Sequence, residues 1–161
     1  MSWMIYGANG YTGELIAREA VARGLRPILA GRSRDKVARL AAELELEHRV
    51  FSLGSAGEIA QHLAGVRAVL LTAGPFSATS QPMVQACLQA GAHYLDITGE
   101  IDVFEAAFAR HADAQRAGVM LCPGVGFDVI PTDCVAAALK AALPDAVELR
   151  LGFDTTVALS P

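Results

Sequence analysis

Tyr6-Gly7-Ala8-Asn9-Gly10-Tyr11-Thr12-Gly13, set between the apolar run Met4-Ile5-Tyr6 and the helix-forming stretch Glu14–Arg23, decides how this 161-residue chain folds. Its glycines follow G-x-x-G-x-x-G, and each has a distinct task. Gly7 permits a tight strand-to-helix turn, Gly10 lets the backbone approach a pyrophosphate, and Gly13 lets the helix pack close to the strand. A bound anion then sits on the unpaired N–H groups at the positive end of the helix dipole. The backbone of Ala8, Asn9 and Tyr11 completes the turn, and the Thr12 hydroxyl can donate to a phosphate. Three glycines alone are only a turn. Here a strand precedes them, a helix follows, and a second apolar run, Ile28-Leu29-Ala30, begins about 20 residues on, the setting a dinucleotide site requires. No G-x-x-x-x-G-K-[ST] occurs, which argues against a nucleoside-triphosphate loop.

Outward from that turn, short apolar runs alternate with helical periodicity. Val37, Leu40, Ala41 and Leu44 share one helix face, with Arg34, Lys36, Arg39, Glu43 and Glu45 on the solvated side. Val50-Phe51 predicts a third strand and Glu58–Leu63 a weak helix. Val66–Thr72 is the clearest buried strand. A helix through Val84, Cys87 and Leu88 stops at Gly91, followed by a fifth strand at Tyr94–Ile97. Phe104, Ala107, Phe108 and His111 predict one helix ending near Gly118, before a sixth strand at Val119–Cys122. Pro131-Thr132-Asp133 opens the last helix, and Asp128 and Asp133 read as turn and N-cap residues. This alternation implies an α/β fold, a Rossmann-like doubly wound parallel sheet with helices on both faces and right-handed crossovers. Val147, Leu149, Leu151 and Phe153 instead alternate with Glu148, Arg150, Gly152 and Asp154, the pattern of a strand with one wet face. The expected organisation is therefore a nucleotide-binding domain over residues 1–145, with residues 146–161 beginning a second, substrate or dimerisation domain that is cut short.

Composition narrows the function. With 53% hydrophobic and 19% charged residues the chain can bury a core and is not disordered. Thirteen Lys+Arg against 17 Asp+Glu leave no basic excess for nucleic acid. No apolar run reaches the ~20 residues of a membrane span. Cys87, Cys122 and Cys134 are odd in number and widely spaced, as expected of reduced thiols in a cytoplasmic protein. His48 and His62 read as surface residues, His93 and His111 as packing residues, and no group has metal-ligand spacing.

Cofactor choice should be set after the second strand. NAD enzymes commonly carry an acid there for the ribose 2′-hydroxyl. This chain has Gly31-Arg32-Ser33-Arg34, and an arginine fork with a serine hydroxyl suits a 2′-phosphate, so NADP is expected over NAD. Ser33 also stands where a helix N-cap belongs. Ala73-Gly74-Pro75-Phe76, after the fourth strand, should face the nicotinamide half of the cofactor. Asp96 and Glu100 share one short loop at the ligand edge. They can position substrate or handle a proton, and equally can cap helices or hold loops.

Taken together, these motifs resemble the saccharopine dehydrogenase-like oxidoreductases, including the trans-acting enoyl reductases. The resemblance rests on Tyr6–Gly13, Ala30-Gly31-Arg32, Gly74-Pro75-Phe76, Tyr94–Glu100 and Gly126–Asp133, in the family's order over about residues 4 to 140. It implies an NADP-binding domain, followed in the family by a C-terminal substrate and dimerisation domain. Where many relatives have an Asp near the adenine, this chain reads Phe51-Ser52-Leu53. The resulting expectation is the cofactor half of an NADP-dependent oxidoreductase. Turnover would need the further domain, which would bring a small-molecule substrate and a homodimer contact. A non-catalytic NADP-binding redox sensor or interaction module is the alternative. A short-chain dehydrogenase is disfavoured, because neither Lys36 nor Lys140 follows a tyrosine by four.

Overall fold

The computed structural model describes residues 2–127 and 129–152. Six strands, β1 (Trp3–Tyr6), β2 (Ile28–Gly31), β3 (His48–Val50), β4 (Ala68–Leu71), β5 (His93–Asp96) and β6 (Leu121–Cys122), form one sheet in the order β3-β2-β1-β4-β5-β6. Every pairing is parallel. The strand order reverses between β1 and β4, and in open parallel sheets the ligand crevice lies beyond the carboxyl ends at such a point.

Strand period two sorts the core. Met4, Tyr6, Ile28, Ala30, Val69 and Leu71 face α3 (Ala56–His62) and α4 (Phe76–Ala90), where Met83, Val84 and Cys87 complete a buried cluster. Ile5 and Leu29 point the other way, against Ala17 of α1 (Tyr11–Ala22) and Val37, Leu40 and Ala41 of α2 (Arg34–Glu43). Each fully buried Leu, Ile, Val or Met contributes about 1.5–3 kcal/mol. Leu70 and Leu95, in register with Ile5, remain only half-buried, so on that face the helices cover the β1–β3 half of the sheet.

Several expected boundaries shift. The helix expected from Phe104 to Gly118 is two, α5 (Ile101–Phe108) and α6 (His111–Ala117). The ladder tightens where the Arg110 amide donates to Ala107 and restarts where Ala114 donates to Arg110. The sixth strand keeps only Leu121 and Cys122, because the Val119 amide turns back to the Ala114 carbonyl behind left-handed Gly118. The Gly91 stop is present, with φ of 68° at the end of α4. His62 is half-buried and stacks on Phe51 at 4.5 Å, while the His93 Nδ1 accepts from the Met120 amide at 3.0 Å.

The last helix, α7 (Ile130–Ala142), has no buried residue, and its N-cap position is Val129 rather than an acid. Asp128 lies outside the described residues. The strand expected over 147–154 is absent from its described part. Residues 147–152 join no strand among the described residues, and Val147 is fully exposed. Alternation prescribes a strand only where a neighbouring edge supplies hydrogen bonds, and none lies beside this segment among the described residues. Among the described residues no helix is long and apolar enough to cross a membrane.

Burial also separates the thiols. Cys87 is fully buried beneath α4, and desolvation pushes its pKa up to about 12, whereas Cys134 is exposed on α7. An aromatic disulfide reagent at pH 8 should modify Cys134 in the native protein and Cys87 only after denaturation, with mass spectrometry locating the adducts. Equal rates at the two positions in the native state would contradict this core.

Candidate functional site: a nucleotide cleft at the sheet's switch point

The glycine turn closes on itself before it offers anything to a ligand. The Gly7 and Ala8 amides both donate to the Ala30 carbonyl, at 2.8 and 3.1 Å, tying the turn to the end of β2. The Gly10 amide donates to Gly7 at 2.9 Å and Glu14 to Gly10 at 2.9 Å, starting α1. The amides of Tyr11, Thr12 and Gly13 make no hydrogen bond among the described residues, as the first turn of a helix requires.

The glycines match their separate tasks. Gly7 has φ of +89°, and a Cβ there would come within 2.8 Å of the Ala73 amide nitrogen. A Cβ on Gly13 would drive into the Gly7 carbonyl, so α1 can approach β1 only because this side chain is missing. At Gly10 a Cβ would meet only the Gly7 carbonyl oxygen, at 3.3 Å. That contact is tight but milder than those at Gly7 and Gly13.

A cleft of about 930 Å³ opens over this turn. That is at the upper end of the ~300–1,000 Å³ typical of ligand sites and suits an extended dinucleotide. Gly7, Asn9, Gly10, Tyr11 and Thr12 form its middle. Arg32, Ser33 and Lys36, with Ser52, Leu53 and Gly54, form the end beyond β2 and β3. Ala73, Gly74, Pro75 and Phe76, with Thr79 and Ile97, form the end beyond β4 and β5. Among the described residues no carboxylate lines it, although the chain carries a net charge of −4. The Arg32 charge is felt inside it: burial raises the Tyr6 hydroxyl pKa, and the Arg32 guanidinium opposes that rise.

Some expected site residues lie elsewhere. Ala8 is fully buried and Gly13 is buried in α1, so both shape the turn without facing the cleft. Arg34 is exposed at the first position of α2 and does not line the cleft; Lys36 does. The reason is helical spacing. Ser33 and Lys36 are three apart and share a face, whereas Arg34 turns away. Ser33 occupies the N-cap position, but its hydroxyl makes no capping bond. Spacing alone could have pointed to Lys36. Ser52 and Leu53 stand where the family resemblance put the adenine, whereas Gly54 had no signal, because its place depends on β3 lying beside β2. Gly31 also has a role that its motif did not reveal: a Cβ there would sit 2.8 Å from Asn9 Oδ1.

Asp96 and Glu100 both hold loops, the second of the two roles open to them, and among the described residues neither lines the cleft. Asp96 is fully buried. It accepts from the Tyr94 hydroxyl at 2.5 Å and from the Thr98 and Gly124 amides at 3.0 and 2.8 Å. It fastens the loops after β5 and β6 to the sheet. Burial and then the Asp96 charge push the Tyr94 pKa far upward. Glu100 accepts from the Phe76 and Ser77 amides at 2.7 and 2.9 Å. Its partial desolvation would raise its pKa, but these amide bonds prevail and hold it below the usual carboxylate value. Both acids accept hydrogen bonds from within the fold.

The comparisons with known proteins agree with this geometry. A trans-acting enoyl reductase from Mycobacterium ulcerans (strain Agy99) is 32% identical over 145 residues, covering 81% of this chain and 33% of that protein. A human saccharopine dehydrogenase-like oxidoreductase is 28% identical over 150 residues, covering 81% and 35%. The chain thus spans about a third of the length of these relatives. Among solved structures, apo saccharopine dehydrogenase (L-Glu forming) from Saccharomyces cerevisiae superposes with a TM-score of 0.76 at 12% identity, over 89% of this chain and 31% of that one. Yeast methylglyoxal/isovaleraldehyde reductase Gre2, complexed with NADPH, gives 0.61 at 15% identity, over 76% and 53%. At such identities the two structures speak for the fold alone. The family model described as the saccharopine dehydrogenase NADP binding domain matches residues 3–122, and with the Rossmann-like sheet and its switch-point cleft in place, the chain belongs to that family of NADP-binding domains.

Proposed function

We propose that the chain is the cofactor-holding part of an oxidoreductase that moves a hydride between NADP(H) and a small-molecule substrate. The observation carrying this reading is the charge pattern of the cleft: open helix amides at its centre, Arg32 and Lys36 at one end, and no carboxylate along it among the described residues. The amides of Tyr11 and Thr12 would hold the pyrophosphate, and Arg32, Ser33 and Lys36 the 2′-phosphate. Gly31 precedes them where an NAD site would carry an acid. The planar Arg32 fork supplies directional bonds and Lys36 a point charge. Leu53 and Gly54 would flank the adenine, and Ala73–Phe76 with Ile97 would face the nicotinamide. When bound, the cofactor supplies the redox chemistry, and the protein supplies orientation and a shielded cleft.

Among the described residues the cleft's titratable side chains are Tyr6, Tyr11, Arg32 and Lys36, with none at the β4–β5 end. In the oxidoreductase reading a proton donor for the substrate would come from the second domain expected after about residue 145. The same shortage favours the second reading, an NADP-sensing module without turnover of its own. In either reading we take the protein to be cytoplasmic, with its thiols reduced. A homodimer through the second domain belongs to the oxidoreductase reading.

Calorimetric titration of the chain with NADPH and NADH tests the assignment. Arg32→Ala should weaken NADPH about 10- to 100-fold, the loss expected for charge-assisted hydrogen bonds, while hardly changing NADH. Lys36→Ala should weaken NADPH less, with an effect that fades as salt rises. Wild-type preference for NADH, or equal losses for both cofactors, would refute the 2′-phosphate assignment. Gly13→Ala should destabilise the fold by about 1–3 kcal/mol through overpacking against β1 and also abolish NADPH binding, read by thermal melting with and without cofactor.

A further inference from the structure

The N-terminus of α4 lies at the cleft, and its cap comes from a distant part of the chain. Pro75 occupies the N-cap position, where it has neither a side-chain acceptor nor an N–H. The Glu100 carboxylate takes over that task, with one oxygen on the Phe76 amide and the other on the Ser77 amide. A negative charge at this end of a helix is favourable in its own right. Glu100 is itself held from behind. Its amide donates to Thr98 Oγ1 at 3.0 Å, and the Thr98 amide donates to the buried Asp96 carboxylate at 3.0 Å. From within α4, Thr79 Oγ1 donates to the Ala73 and Pro75 carbonyls at 2.6 and 3.1 Å. The segment Ala73–Phe76, which forms one lip of the cleft, is thus pinned by Thr79 on one side and Glu100 on the other.

Building on the NADP reading above, we infer that Glu100 is a positioning residue for the nicotinamide half of the cofactor, holding the Ala73–Phe76 lip in place without touching the ligand. The adenosine half lies across the switch point, beside Arg32, Ser33 and Lys36, which Glu100 does not contact. The two halves should therefore respond differently to its loss. A residue that merely stabilised the whole fold would affect both alike.

Glu100→Gln keeps the size but replaces one oxygen with an NH₂ group, so that one backbone amide faces a donor. Glu100→Asp keeps the charge but shortens its reach. Each variant and the wild type would be titrated with NADPH and with adenosine 2′,5′-bisphosphate, which carries only the adenosine end, below the variants' melting temperatures. Glu100→Gln should weaken NADPH about tenfold, the scale of one hydrogen bond to a charged group, and leave the bisphosphate nearly unchanged. Glu100→Asp should fall between. In the NMR spectrum of the variants the Phe76 and Ser77 amide signals should shift, while those of Tyr11 and Thr12 stay. An unchanged NADPH affinity, or equal losses for both ligands, would overturn the inference while leaving the NADP reading intact. A wild-type chain that binds neither ligand would overturn both.

Discussion

Close contact between α1 and the end of β1 is the constraint from which the rest of this molecule follows. The missing side chain at Gly13 lets the helix sit against the Gly7 carbonyl, and the positive φ of Gly7 turns the chain sharply enough to bring it there. With the helix in that position, its first amides open at the point where the strand order reverses. Moving α1 outward would open the seam between Ile5 and Ala17 in the core and carry the amides away from the switch point. Packing and ligand geometry are here one problem solved by the same two glycines.

The N-termini of α1 and α4 at the cleft are treated in opposite ways. That of α1 carries no side-chain cap among the described residues. That of α4 is closed by the Glu100 carboxylate, which answers the dipole and occupies its amides. An anion therefore finds the α1 end open and the α4 end closed, and the β4 side is left to Pro75, Phe76 and Ile97, which suit a flat ring better than a phosphate. The polarity of the cleft, charged beyond β2 and largely apolar beyond β4, results from this asymmetry.

The acids of the β5 loop show how far local chemistry can be read without packing. Asp96 and Glu100 are spaced like a pair of working carboxylates, and the loop does lie at the ligand edge. Their side chains, however, answer to backbone amides from Thr98, Gly124, Phe76 and Ser77, and three of those four lie two to three dozen residues away or on a different element. No reading of the loop by itself could weigh those partners. The same holds for the strand expected after residue 146, whose alternation is real but whose hydrogen bonds would have to come from another segment.

Much was determined by sequence alone: the alternation of strands and helices, the parallel sheet, the glycine turn, and the family. Those features depend on period, on backbone freedom at single residues and on neighbours a few positions apart, all of which a linear string records. Tertiary structure decided that Lys36 rather than Arg34 joins Arg32 in the cleft, that Ser52–Gly54 close one end of it, and that Asp96 and Glu100 hold loops. Each of these depends on the direction in which a side chain leaves its element and on which distant backbone group waits there unsatisfied, and a buried or charged group settles on such a partner only once the fold has brought the two together.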